Sequence, residues 1–203
     1  MAITNGYCTA VELRDHLQDA GSRLDADLLD RAVNAASRAV DNYTGRRFWQ
    51  DPTPVTRTFR PMERRIAWVT DISTTTGLII ATGEDGSFPT TWTIGTDFEL
   101  EPENADLDAT AFAWWRIVAV GNQQFIPSTL RRTLSVTARF GWSAIPDAIN
   151  EATILKASQL FQRKNAVFGI AGFGEFGPMR ITRKDPDVIE LLNGYVRYDL
   201  GAV

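Results

Sequence analysis

The sequence predicts an α+β protein. Mainly helical N- and C-terminal parts form one helical bundle, and an antiparallel β-rich region is inserted between them. Three observations predict it. Residues 1–51 and 143–203 place apolar side chains at helical spacing. Residues 52–142 carry Thr, Val, Ile and Trp in short runs separated by turn residues, which is the pattern of antiparallel strands. Pro52 and Pro54 mark the first change of texture. The expected organisation is therefore a discontinuous helical core, 1–51 with 143–203, and a β-rich insertion, 52–142.

The first helix opens on Thr9-Ala10-Val11-Glu12, a capping box in which hydroxyl and carboxylate each take a backbone N–H of the other's end. Cys8 and Leu13 are placed as the accompanying hydrophobic staple. This helix is expected to run to about Leu17 and stop before Gly21. Asp25 is a good cap for a second helix, with Leu24 and Leu29 as a second staple. Leu29, Ala32, Val33, Ala36, Val40 and Tyr43 recur at helical spacing, and Gly45 supplies a left-handed end. The stripe is rich in alanine, so another helix can approach closely. Asp30, Arg31, Asn34, Arg38 and Asp41 form the opposite face, which is expected to be wet.

Strands are expected at 55–60, 66–70, 77–82, 90–94, 97–100, 115–120 and 133–140. The last is the clearest. Leu134, Val136, Ala138 and Phe140 alternate with Ser135, Thr137 and Arg139, so one face is buried and the other meets water. Gly83-Glu84-Asp85-Gly86 reads as a hairpin-type turn.

Helix returns after residue 143. Pro146 suits a first turn. Ala148, Ile149, Ala152, Ile154, Leu155, Ala157, Leu160 and Phe161 then cover well over half of the helix circumference. A helix apolar on most sides must be covered on most sides. Either it is the central core element or a neighbouring subunit covers part of it. Phe168 to Pro178 is a glycine- and phenylalanine-rich connector, followed by Met179-Arg180-Ile181-Thr182-Arg183-Lys184. A short last helix is capped by Asp185, begins with Pro186, and has a stripe of Ile189, Leu192 and Tyr195.

Composition removes many functions. The chain has 203 residues, 44% hydrophobic and 23% charged, and buries a sizeable core without disulfide or metal. Cys8 and His16 are the only cysteine and histidine, so no intramolecular disulfide and no Cys/His zinc site can form within one chain. A net charge of −4 and a pI near 5.1 argue against a general nucleic-acid binder. The N-terminal MAITNGYCTAVELRDH lacks the regions of a signal peptide, and no stretch approaches the ~18 apolar residues of a membrane span. A soluble chain made in a cytosol is expected. The surplus lies in 6 Trp, 11 Phe and a Lys+Arg total of 21 that is almost all arginine.

Gly172-Phe173-Gly174-Glu175-Phe176-Gly177 satisfies the dinucleotide fingerprint G-x-G-x-x-G, but its context is wrong. That motif follows a strand and opens a helix, whereas here a helix precedes it and Pro178 follows. The better reading is a connector whose phenylalanines a partner orders. Asp97, Glu99, Glu101, Glu103, Asp106 and Asp108 lack calcium-loop spacing and read as a solvated face. His16, beside Asp15 and Asp19, reads as surface or capping decoration. Trp49, Trp68, Trp92, Trp114, Trp115 and Trp142 fall mostly in or beside strands, where core packing is the default over base or sugar stacking. The pairs Arg46-Arg47, Arg64-Arg65 and Arg131-Arg132 suit either phosphate contacts or inter-subunit ion pairs. No catalytic, cofactor-binding or metal-binding residue is nominated, and no cofactor is expected.

Two sets of phrases carry a resemblance. The first is Tyr7-Cys8-Thr9 with its short helix, then a second helix ending Ala35-Ala36-Ser37-Arg38-Ala39-Val40-Asp41-Asn42-Tyr43-Thr44-Gly45-Arg46-Arg47-Phe48. The second is Phe140-Gly141-Trp142, then Ile145-Pro146-Asp147-Ala148-Ile149 opening a long helix that ends Gln162-Arg163-Lys164. Asp185-Pro186-Asp187-Val188 follows, before Leu191-Leu192. Together they resemble the head-tail adaptor (connector, head-completion) proteins of long-tailed phages and prophages. The likeness covers both helical ends, about half of the chain. The β-rich middle departs from the small all-helical members and looks like the insertion of larger ones.

The resemblance implies a structural virion protein, not an enzyme. It implies a ring of about twelve subunits that joins the portal to the tail and extends the DNA channel. The implied partners are other copies of the chain, the portal protein, and a stopper or tail-completion protein. DNA would pass without sequence-specific binding, and no membrane is involved. The implied location is the virion neck, after assembly in the bacterial cytoplasm. The helices would form the ring wall, and segment 168–184 would dock on the portal or an adjacent subunit. Candidate interface residues are then Phe168, Ile170, Phe173, Phe176, Met179, Arg180, Ile181 and Arg183 in that segment. Ala32, Ala36, Ile154 and Phe161 are the candidates on the helices. Two alternatives stand: a stopper or tail-completion protein of the same machine, and a carbohydrate-active β-domain enzyme using the acidic stretch and the tryptophans.

Overall fold

The computed structural model describes residues 2–17, 25–84, 86–163, 170–171, 179–180 and 185–197. It is a mixed α+β structure. In chain order the elements are α1 (Ala10–His16), α2 (Ala26–Thr44), β1 (Val55–Phe59), β2 (Ile66–Ile72), β3 (Ile79–Thr82), β4 (Thr90–Trp92) and β5 (Phe98–Glu101). There follow α3 (Ala105–Asp108), β6 (Trp114–Ala119), β7 (Leu134–Ala138), α4 (Asp147–Arg163), β8 (Ile170–Ala171), β9 (Met179–Arg180) and α5 (Pro186–Asn193). The chain divides into two compact units, Met1–Arg46 with Ile145–Val203, and Arg47–Ala144.

In the helical unit, local chemistry sets the ends of the helices. The Thr9 hydroxyl accepts the Glu12 N–H at 3.2 Å, and the Glu12 carboxylate accepts the Thr9 N–H at 2.6 Å. Cys8 and Leu13 are both buried in one cluster, as a staple requires. Asp25 accepts the Asp27 N–H at 3.0 Å to start α2. Gly45, at φ +66°, ends α2 by donating its N–H to the Asp41 carbonyl at 2.9 Å.

The buried stripe of α2 is Leu29, Ala32, Val33, Ala36, Ser37, Val40 and Thr44. Tyr43, expected to complete it, is exposed instead. Thr44 lies one full turn after Val40 and takes the inward place, its hydroxyl donating to the Val40 carbonyl. The face expected to be wet is also altered. Residues 2–7 run along it: Thr4 N–H donates to Asn34 Oδ1 at 2.9 Å, and Arg38 donates to the Asn5 carbonyl at 3.0 Å. The Tyr7 hydroxyl donates to Asp41. Asn34, Arg38 and Asp41 are therefore half-buried.

Helix α4 packs against α1, α2 and α5. It buries Ile149, Ala152, Thr153, Ile154, Ala157 and Ser158, so it is the central element of its unit. Thr153 is buried without loss because its hydroxyl donates to the Ile149 carbonyl one turn back. Asp185 caps α5 through the Asp187 N–H at 3.0 Å. The inward residues of α5 are Val188 and Leu192; Ile189 is half-buried, and Tyr195 lies beyond the helix end.

The second unit holds two antiparallel sheets, ordered β1-β7-β3-β4 and β2-β6-β5. In the first, β7 is central: Phe59 faces Leu134, and Ile80 faces Val136. Its alternation is as the sequence indicates, with Leu134, Val136, Ala138 and Phe140 fully buried. In the second, Ile66 faces Val118, Ile72 faces Trp114, and Leu100 faces Ile117. One hydrophobic core takes side chains from both sheets, including Val69, Ile80, Trp92, Phe98, Trp114, Ile117 and Phe140. The expected turn lies where β3 meets its antiparallel partner β4, although Asp85 itself falls outside the described residues. Helix α3 was not expected; it is a single turn within the acidic stretch.

The first unit boundary falls before Arg47, ahead of the Pro52–Pro54 pair. Phe48 explains why: it is fully buried in the β unit, its ring 5.2 Å from that of Trp142. Among the described residues no helix is long and apolar enough to cross a membrane.

Candidate functional site

The phrases that carry the sequence resemblance are joints of the fold. Tyr7 N–H donates to Ser37 Oγ at 3.1 Å, and Asn150 Nδ2 donates to the Tyr7 carbonyl at 2.9 Å, so Tyr7 ties the chain start to α2 and α4. Gly141 has φ +108°, and a Cβ there would stand 2.0 Å from the Trp49 carbonyl oxygen, so only glycine fits. Next to it, Trp142 Nε1 donates to the buried Asp71 carboxylate at 3.0 Å.

Asp51 is a charged node that sequence reading missed. It is 7% exposed and pairs with Arg47 at 2.8 Å and Arg57 at 3.4 Å. The Arg47 guanidinium lies 3.8 Å from the Trp49 ring centre, and that of Arg57 lies 4.2 Å from the Phe140 ring centre. Burial lowers the Arg57 pKa, the neighbouring Arg47 charge lowers it further, and Asp51 opposes both. This arrangement is structural: every group is turned to another group of the unit.

The residues with chemical potential are placed as follows. Cys8 is buried, and burial, with a smaller push from the Glu12 charge, raises its thiol to about 12. His16 is exposed in the last turn of α1. None of the six tryptophans is exposed; Trp92, Trp114 and Trp142 are buried. Among the described residues no group of His, Cys, Asp or Glu is arranged to hold a metal ion. Arg46 donates to the Tyr195 carbonyl, Arg65 to the Ala119, Gly121 and Gln123 carbonyls, and Arg132 to the Thr58 hydroxyl. These arginines thus make contacts within one chain. In the acidic stretch Phe98 and Leu100 face inward and Glu99 outward. Glu101 pairs with Arg116, and Asp97 accepts from the Thr93 N–H and from Gln123.

Of the candidate interface residues, Ala32, Ala36 and Ile154 are 7%, 0% and 7% exposed in the core shared by α1, α2 and α4. Phe161 is half-buried and, with Leu160, Leu28 and Ala35, lines a shallow apolar trough between α2 and the end of α4. Ile170, Met179 and Arg180 lie on the β8–β9 ladder, where Ile170 faces Arg180 and Ala171 faces Met179. Phe168, Phe173, Phe176, Ile181 and Arg183 lie outside the described residues, as does the G-x-G-x-x-G run.

Two surfaces of the β unit were not foreseen. One is a depression with Ile94, Leu100 and Trp114 as its apolar part and Glu99, Glu103 and Asp106 at its rim. The other is a set of exposed loop tips, Met62 at 66% and Leu130 at 85% exposure, flanked by arginines. Each basic and acidic residue was visible in the sequence, but only the strand register brings them into these groups.

No protein-family model and no curated protein matches the chain. Solved structures do match it along its whole length. A chain in the "neck of native GTA particle computed with C12 symmetry" aligns at 20% identity and a TM-score of 0.55, covering 100% of this chain and 96% of that one. A chain in the "neck of empty GTA particle computed with C6 symmetry" aligns at 21% identity and 0.54, with the same coverage. A chain in the "virion of native gene transfer agent (GTA) particle" aligns at 22% identity and 0.51, again with that coverage. At these identities the likeness is one of fold, and the fold is that of chains in the neck of gene transfer agent particles.

Proposed function

We propose that the protein is a structural component of a phage-like neck, a head-tail adaptor. The helical unit is read as one bundle that forms the wall of a ring of about twelve copies. The ring joins the portal to the tail and continues the DNA channel. Segment 168–184, with Phe168, Phe173, Phe176, Ile181 and Arg183, docks on the portal or an adjacent copy. A stopper or tail-completion protein follows on the other side, and assembly takes place in the bacterial cytoplasm before the ring becomes part of the virion. The acidic balance suits a conduit, because tight phosphate binding would slow the passage of DNA.

One observation carries this reading: the whole chain, with its β-rich middle, shares its fold over 96% of their length with chains in necks computed with C6 and C12 symmetry. Deletion of the gene from its particle tests it. Filled heads without attached tails are expected, rescued by the purified protein. Normal tailed particles from the deletion would overturn the proposal.

A further inference from the structure

We infer that the β unit carries both halves of a copy-to-copy junction, an acidic-rimmed groove and an arginine-flanked apolar tip. The inference rests on the ring reading and names surfaces through which the ring would close. A ring needs two different patches on each subunit, one given and one received.

Glu103 and Asp106 of the groove lie at the opposite end of the second sheet from the tip, and the groove reaches back along β5 to Ile94, which bridges to Phe98. Strand register shows this. Ile66 of β2 faces Val118 of β6, while Ile72 faces Trp114, so the start of β2 and the end of β6 share one end. Phe98 of β5 faces Ala119 and Glu101 faces Arg116, so the end of β5 lies at the other. Backbone bonds gather the tip at the first end: Phe125 N–H donates to the Arg64 carbonyl, Ser128 to Pro61 and Thr133 to Phe59. Glu103, Asn104 and Asp106 of the groove follow β5 at the second end.

The patches match in chemistry. In the groove Ile94 is 49% exposed, and just outside it Leu107 is 79% exposed on the same helical turn as Asp106. Glu99, Glu103 and Asp106 form no ion pair among the described residues. At the tip, Met62 and Leu130 project apolar side chains of similar reach. The guanidinium groups beside them bond neutral acceptors: Arg60 the Thr129 carbonyl, Arg64 the Gln124 amide oxygen, and Arg132 the Thr58 hydroxyl. Their charge therefore remains available to a carboxylate outside the unit, with Glu63 and Glu84 the acids described in the same loops. Of the six large apolar side chains exposed among the described residues of this unit, the two patches hold three and Leu107 adjoins the groove, the others being Val55 and Ile79. An apolar tip ringed by arginine and an apolar groove ringed by carboxylate fit a second copy of this chain.

Charge reversal on the full chain tests the pairing, read by sedimentation velocity at low salt with folding checked by circular dichroism. The tip variant carries Arg64→Glu with Arg132→Glu; the groove variant carries Glu103→Arg with Asp106→Arg. Each alone is expected to weaken self-association by roughly a hundredfold or more, since like charges then meet. An equimolar mixture is expected to assemble again, because every junction of an alternating ring then pairs opposite charges. Variants that assemble like the wild type, or a mixture that stays monomeric, overturn the junction while leaving the ring reading in place. A wild-type chain that stays monomeric up to millimolar concentration and forms no ring with its cognate portal overturns both.

Discussion

Asp51 illustrates how single side chains hold the β unit together. Its buried carboxylate is shared by Arg47 and Arg57, which are themselves only 24% and 32% exposed. Asp51→Asn would leave two poorly solvated cations without a counter-charge, and urea unfolding should show a loss of about 3 kcal/mol. Gly141 is constrained in a different way, by φ +108° and by the Trp49 carbonyl. Gly141→Ala should destabilise the chain by more than about 3 kcal/mol, measured as a lower denaturant midpoint, since backbone must move to admit the methyl. Cys8 gives a pH prediction. Its thiol pKa is raised from 9.0 to about 12 by folding. The unfolded chain therefore ionises first, and stability should fall as pH rises from about 9 towards 12. The fall should be shallower in Cys8→Ala, and the native thiol should resist alkylation at neutral pH. Asp51 did not stand out in the sequence, and Gly141 stood out only within the phrase Phe140-Gly141-Trp142, because each matters through a residue that only the fold brings near.

At the scale of elements, what could be read from sequence was what is decided locally. The Thr9–Glu12 box, the Asp25 and Asp185 caps, the Gly45 end and the alternation along β7 each depend on residues a few positions apart. What depends on distant chain was not legible. The polar face of α2 looked wet because nothing nearby announces that residues 2–7 will lie on it. Strand partners were equally hidden: β7 pairs with β1 and β3, while its neighbours in sequence pair elsewhere. Helix α4 was correctly seen as needing cover, but not who would supply it; α1, α2 and α5 do so within the chain. Truncating its buried face should therefore destabilise the monomer itself. Ile149→Ala is expected to cost about 2–5 kcal/mol in equilibrium unfolding. Ala36→Leu, at a fully buried position, should cost about 1–3 kcal/mol through overpacking. An unchanged unfolding midpoint in both would mean that these helices do not pack as described.

Across the whole molecule, the aromatic surplus is spent on packing. The tryptophans are not on display for ligands; none is exposed, and three are buried in the β unit. The proposed junction was legible only in outline: arginine pairs and acidic runs are plain in the sequence, yet which of them share a loop cluster depends on antiparallel register. The helical alanines suggested close approach between subunits, and in the structure that approach joins α2 to α4 inside one chain. The central claim is that copies of this chain form a ring in a neck. Electron cryomicroscopy of the protein co-assembled with its cognate portal tests it most directly. The account predicts a closed ring of about twelve copies coaxial with the portal, around a continuous channel. A portal that leaves the chain unbound, or density showing isolated copies away from the portal axis, would contradict it.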